Sequence, residues 1–115
     1  MKKRVIAVFT GNRAEYGLQF PILKAIDEHP KLDYRLIVSG AHLDNNFGST
    51  LKEIYSDGFH VDAEVKIDMD ASSLEANVQA IGTGILSIGE AIKKIKPDIM
   101  VVYADRFEGF ATVIA

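Results

Sequence analysis

Arg4-Val5-Ile6-Ala7-Val8-Phe9-Thr10-Gly11-Asn12 is the stretch on which the fold turns. A β-rich apolar run ends in a Gly-Asn turn signal, so it reads as a strand closed by a tight turn. The next residues have helical spacing. Leu18, Ile22, Leu23 and Ile26 fall on one side of a helix from about Tyr16 to Glu28. Pro21 fits only in a first turn, which allows a start as late as Gln19 or Phe20, and Pro30 stops the helix. Leu32 to Ser39, with Leu36-Ile37-Val38 at its centre and Gly40 after it, is the next strand. Strand, helix and strand with short joins make a βαβ unit, whose strands must be parallel.

The alternation continues outward from this unit. A second helix runs from roughly Ser49 to Ser56 and ends at Asp57-Gly58, with Gly58 placed for a left-handed cap. His60 to Ile67 alternates in polarity, which suits a strand near a sheet edge. A third helix spans about Ser72 to Lys96. Ser72 or Ser73 can cap it, Glu75 can complete a capping box with Ser72, and Pro97 comes directly after it. Its stripe of Leu74, Val78, Ile81, Ile85, Ile88, Ile92 and Ile95 can lie along the sheet, or present part of its length to another subunit. Gly82 and Gly89, seven apart, would permit close approach there. Asp98 to Tyr103 is continuously apolar and is expected to be a strand buried on both faces. The order is that of an α/β, Rossmann-like, doubly wound parallel sheet with right-handed crossovers.

Composition narrows the function classes. The chain of 115 residues is 48% hydrophobic, enough for one core, and its net charge of −3 offers no basic field for nucleic acid. No apolar run approaches the roughly 20 residues that span a bilayer, and Met1-Lys2-Lys3-Arg4 runs straight into the first strand without a cleavage signal. The absence of cysteine excludes disulfides and thiolate chemistry, and a cytoplasmic location is the default expectation. Phe110-Ala111-Thr112-Val113-Ile114-Ala115 carries no stop signal. Residues 1–115 are therefore expected to be one amino-terminal domain, incomplete, with further strands and helices beyond it.

In doubly wound sheets ligands bind outside the carboxyl ends of the strands. After the first strand, Gly11-Asn12-Arg13 is neither GxGxxG nor a P-loop. Arg13, beside a helix start, can hold a phosphate, or it can pair with a surface carboxylate such as Glu15. His42, in the loop after the second strand, is a candidate ligand contact or a solvated side chain. After the fourth strand come Asp105, Arg106 and Glu108. They read as an acid/base or sugar-hydroxyl site, as a helix cap with Glu108 in the capping-box position, or as both. Metal binding has little support, since there is no HExxH, no histidine cluster and no EF-hand loop, and Asp68-Met69-Asp70 reads better as a polar loop before a helix.

These loops together resemble the UDP-N-acetylglucosamine 2-epimerases, and more narrowly the hydrolysing branch that makes N-acetylmannosamine for sialic-acid-type sugars. The resemblance rests on Thr10-Gly11-Asn12-Arg13-Ala14-Glu15-Tyr16, Ser39-Gly40-Ala41-His42-Leu43, Phe47-Gly48-Ser49-Thr50 with Glu53-Ile54, and Asp57-Gly58-Phe59. It continues through Lys96-Pro97-Asp98 to Asp105-Arg106-Phe107-Glu108. Ala104 stands where many members have glycine, and Gly17 where some have a serine contact. The resemblance implies a two-domain GT-B fold and an enzyme acting on a UDP-sugar by elimination and hydration, without metal or redox cofactor. It also implies a homo-oligomer for the full-length protein. Arg13 and Arg106 then match contacts to the nucleotide, Asp105 matches the catalytic carboxylate at the reacting sugar, and His42 matches the second-loop histidine. The remaining acid/base groups would lie beyond Ala115, so this stretch alone is expected to be inactive. Two alternatives stay open: a GDP-sugar 2-epimerase of legionaminic acid synthesis, and a non-enzymatic flavodoxin-like binding module.

Overall fold

The computed structural model describes residues 2–39, 50–66, 73–103 and 107–115. Strands and helices alternate through them: β1 (Arg4–Thr10), α1 (Arg13–Glu28), β2 (Leu32–Ser39), α2 (Thr50–Ser56), β3 (Ala63–Val65), α3 (Leu74–Ile95), β4 (Ile99–Val102) and α4 (Phe107–Ile114). The strands form one sheet in the order β3-β2-β1-β4, and every neighbouring pair is parallel. The register runs Arg4↔Leu32 to Thr10↔Val38, Ile6↔Ile99 to Phe9↔Val102, and Ile37↔Ala63 to Ser39↔Val65. All carboxyl ends therefore open on one edge. The chain steps from β1 through β2 to β3 and then returns to the far side of β1, which puts the topological switch point between β1 and β4.

The alternation of β1 explains why the sheet is covered twice. Ile6 and Val8 join Leu36 and Val38 against Tyr16, Leu23 and Ile26 of α1 and Ile54 of α2. Ala7 and Phe9 join Ile37 and Val65 against Ala80, Ile88 and Ala91 of α3 and Ala111 of α4. A strand apolar on both faces has to be buried on both, and β1 is buried from Ile6 to Thr10.

Several boundaries depart from the sequence reading. Helix α1 begins at Arg13, not at Tyr16 or later, and carries Pro21 in its interior. Pro21 and Gly17, whose carbonyl loses its partner, both face solvent, so water can serve that carbonyl and packing elsewhere holds the helix. Its buried face is Glu15, Tyr16, Gln19, Leu23 and Ile26, whereas Leu18 and Ile22 are exposed. Strand β3 is shorter than expected because the His60 N–H goes to the Tyr34 hydroxyl at 2.9 Å and not to a ladder partner. Asp62 then starts the pairing: its N–H bonds the Leu36 carbonyl, and its Oδ2 accepts the Leu36 N–H at 2.8 Å. The edge position of β3 is as expected; Ile67 lies outside the described residues.

Strand β4 is half-buried, with Ile99 exposed, not buried on both faces as its apolar run suggested. Among the described residues it has a neighbour, β1, on one side only. Burial depends on neighbours, which a run of apolar residues does not specify.

The caps are specific. Gly58 takes φ +89°. The Gly58 N–H reaches the Tyr55 carbonyl and the Phe59 N–H the Ile54 carbonyl, the paired bonds of a Schellman turn. Ser73, one of the two expected caps, starts α3 by accepting the Ala76 N–H at 3.0 Å, and Ser72 lies outside the described residues. Helix α3 ends on Lys96 in the left-handed region, φ 53°. Its stripe is buried only in part: Ile88 is buried, but Leu74 and Val78 are exposed. Ala80, Gly84 and Ala91 instead let the helix sit close to the sheet. A Cβ on Gly82 or Gly89 would meet nothing within 4 Å, so the described residues make no use of the approach those glycines permit.

Candidate functional site

The edge at which β1, β2 and β4 end is where the chemistry was expected, and the best-defined part of it is the turn from β1 into α1. Thr10 ends β1 fully buried, and its hydroxyl donates to the Asn12 carbonyl at 3.2 Å. Asn12 is the N-cap of α1, and its Oδ1 accepts the Glu15 N–H at 2.9 Å. Glu15 answers from the third helical position, its Oε1 accepting the Gly11 N–H at 2.9 Å. This reciprocal pair is a variant of the capping box, in which the glutamate reaches one residue past the cap. Such a cap stabilises a helix by about 1 kcal/mol and fixes the direction in which α1 leaves the turn.

One turn further along α1, Gln19 Nε2 donates to the Phe9 carbonyl at 2.9 Å, at the end of β1. Glu15 and Gln19 are both 2% exposed. Glu15 is thus buried and not at the surface, and whether Arg13 pairs with it lies outside what is described of the Arg13 side chain. Tyr16, also buried, donates its hydroxyl to Asp57 Oδ2 at 2.6 Å, which ties the first turn of α1 to the end of α2. Ser39 closes β2 fully buried, and its Oγ has no hydrogen-bond partner among the described residues.

Of the residues singled out from sequence, Arg13 is placed at the first position of α1, at the carboxyl edge of β1. His42, Asp105 and Arg106 lie outside the described residues, and so does the capping reading of Asp105. The sheet does bring their attachment points together. Ser39, which precedes the segment with His42, and Val102, just ahead of Asp105 and Arg106, end strands on either side of β1. Asn12 and Gln19 were not singled out, and Glu15 only as a possible ion-pair partner of Arg13. The Asn12-x-x-Glu15 spacing was available as a helix-start signal, whereas nothing in sequence marks Gln19 as buried.

A second polar cluster lies toward the amino half of β2. The Tyr34 hydroxyl, 2.8 Å from His60 Nδ1, is linked through His60 Nε2 to Asp62 Oδ1 at 3.2 Å. Burial raises the Tyr34 pKa above its ordinary value. Arg35 bonds Asp33 at 2.7 Å, and this contact raises the guanidinium pKa further. These bonds staple β2 to β3 away from the candidate site. A cavity of about 560 Å³ lies along β4, lined by Ile92, Met100, Val102, Thr112 and Val113, and it does not include the turn after β1. Among the described residues no group of three or more histidine or acidic side chains could hold a metal ion, and no helix is long and apolar enough to cross a membrane.

The sheet order, the capped helix at its switch edge and the two covered faces define a doubly wound, parallel α/β domain. Comparison with known proteins gives the family. The family model described as UDP-N-acetylglucosamine 2-epimerase matches residues 24–115, and the chain belongs to that family. A UDP-N,N'-diacetylbacillosamine 2-epimerase (hydrolyzing) of Legionella pneumophila is 33% identical over 97% of this chain and 30% of its own length. A polysialic acid biosynthesis protein of Escherichia coli is 33% identical over 100% of this chain and 29% of its own. A GDP/UDP-N,N'-diacetylbacillosamine 2-epimerase (hydrolyzing) of Campylobacter jejuni is 29% identical over 94% and 28%. The chain thus spans under a third of these relatives. Among solved structures, a UDP-N-acetylglucosamine 2-epimerase from Listeria monocytogenes superposes with a TM-score of 0.79 at 19% identity, over 97% of this chain and 27% of that one. The Neisseria meningitidis enzyme bound to UDP-GlcNAc gives 0.72 at 19%, over 95% and 28%. The parallel α/β fold expected from sequence is that of these neighbours.

Proposed function

We propose that this chain is the amino-terminal part of a hydrolysing nucleotide-sugar 2-epimerase with two facing domains. The enzyme would convert UDP-N-acetylglucosamine and water to N-acetylmannosamine and UDP. The observation that carries the reading is the reciprocal Asn12–Glu15 cap, which opens α1 at the switch edge of the sheet with Arg13 at its first position. The amino terminus of a helix attracts anions, and an arginine there adds a forked donor for a diphosphate. The family match supports an enzyme over a non-enzymatic binding module, and two of the relatives are named as hydrolysing.

The chemistry assigns roles to the candidates. A base takes the weakly acidic C2 proton while the C1–O bond breaks and its electron pair leaves with UDP. Water then adds across the resulting double bond, its hydroxyl to C1 and a proton to the opposite face of C2. Arg13 and Arg106 hold the phosphates, Asp105 acts at the reacting sugar, and His42 contacts the substrate. The reaction needs neither metal nor redox cofactor, and the enzyme is read as a cytoplasmic homo-oligomer. In the test, the complete protein is incubated with UDP-N-acetylglucosamine in deuterated water. Release of UDP with deuterium at C2 of N-acetylmannosamine is expected; intact substrate after prolonged incubation would overturn the reading.

A second reading has its own observation, since two relatives are named for N,N'-diacetylbacillosamine and one of them for GDP as well as UDP. Supplying that sugar on UDP and on GDP in the same assay separates the two, the preferred substrate being the one with the higher kcat/KM.

A further inference from the structure

The turn after β1 is gripped from beneath by two side chains of one helix face. Glu15 holds the Gly11 N–H and Gln19 holds the Phe9 carbonyl, so the bonds bracket Thr10 on both sides. Both side chains are 2% exposed. A buried carboxylate and a buried amide are costly to desolvate, and Gln19 Oε1 finds no hydrogen-bond partner among the described residues. Apolar side chains of similar volume would fill the space between α1 and the sheet at lower cost. What they would lack is direction. Glu15 Oε1 turns the Gly11 N–H inward, and Asn12 Oδ1 takes the Glu15 N–H. Of the first helical amides, this leaves those of Arg13 and Ala14, which have no partner inside the helix.

From this geometry we infer that Glu15 and Gln19 are positioning residues for nucleotide binding. They set the turn so that the Arg13 and Ala14 amides meet the phosphates, without touching the ligand themselves. The inference rests on the nucleotide-sugar reading above.

The test uses the complete protein and UDP as the probe. Calorimetric Kd and melting temperature are measured for the unsubstituted protein and for Glu15→Gln, Glu15→Ala and Gln19→Met. Glu15→Gln keeps an acceptor for Gly11 and should bind UDP within about threefold of the parent. Glu15→Ala and Gln19→Met release the turn and should weaken UDP by about tenfold to a hundredfold, the scale of an ångström-level misplacement. For Gln19→Met, whose apolar side chain suits the site, the melting temperature should hold or rise. Undiminished UDP affinity in Gln19→Met and Glu15→Ala overturns the inference. So does a loss of affinity that tracks the loss of melting temperature in both. If Glu15→Ala does not fold, Gln19→Met and Glu15→Gln decide. Failure of the unsubstituted protein to bind UDP would instead bring down the functional reading, and the inference with it.

Discussion

Replacing Tyr16 by phenylalanine removes one oxygen and, with it, the tie between α1 and α2. The hydroxyl donates to Asp57 Oδ2 at 2.6 Å, within the short range of charge-assisted bonds. Hydrogen bonds to charged groups contribute about 1.5–3 kcal/mol. Asp57 is exposed, so water can take over the carboxylate, and the expected loss falls to about 1–1.5 kcal/mol. The ring itself stays: it is 2% exposed and packs edge-on against Phe20 at 6.3 Å between centroids, contacts that phenylalanine keeps. Tyr16→Ala, by contrast, empties the site and should cost about 3–5 kcal/mol. Urea denaturation of the 115-residue chain, monitored by circular dichroism, measures these differences. A double-mutant cycle of Tyr16→Phe with Asp57→Ala isolates the bond from any capping role of Asp57. A coupling of about 1 kcal/mol is expected; a coupling near zero would refute the view that this contact holds α2 in place.

Three further outcomes can be checked. In the complete enzyme, Asp105→Asn should lower kcat by about 10²–10⁴ with little change in UDP affinity. Asparagine caps a helix as well as aspartate does, so near-normal kcat would leave capping as the role of Asp105. Lys96→Gly relieves a left-handed backbone at φ 53° and should stabilise the chain by about 0.5–1 kcal/mol in the same urea assay; a loss of stability would refute the strain argument. The Tyr34 pKa is raised in the folded state by burial, so the folded chain holds its proton more tightly than the unfolded chain does. The associated stability is present below the ordinary tyrosine pKa and is lost as pH rises from there through the folded value. Tyr34→Phe should flatten the alkaline limb of a stability–pH curve, and an unchanged limb would place its origin elsewhere.

The sheet was legible in the sequence because β1 carries a continuous apolar run and β2 an apolar centre, Leu36-Ile37-Val38, each followed by a turn signal, and because each crossover reads as a helix. The errors share one cause, that local patterns do not name their neighbours. Pro21 argued for a late helix start, yet it faces water, where its missing N–H matters least. The apolar run at Asp98–Tyr103 suggested a strand enclosed on both faces, yet among the described residues β4 has only β1 beside it, and it is half-buried. Leu18 and Ile22 satisfied a helical stripe, but the face that meets the sheet runs through Glu15 and Gln19. The candidate site was legible at the level of loops, from the rule that ligands gather at carboxyl ends. The polar brace beneath it was not, because a glutamine in a helix is recognisable as buried only once the end of β1 lies against it.

The pairing of β1 also governs the order in which this chain can assemble during synthesis. Its neighbour β2 emerges after a single helix, but its other neighbour, β4, pairs Ile6 with Ile99. At about 5–20 residues per second, a ribosome takes several seconds to travel from one to the other. Throughout that interval the most buried strand of the sheet has one edge zipped and the other bare. A bare apolar edge is a template for pairing with any extended segment, including the same strand of a neighbouring nascent chain. Slower translation between β2 and β4 should therefore lower soluble yield without changing the final structure, and a chaperone that shields that edge should restore it.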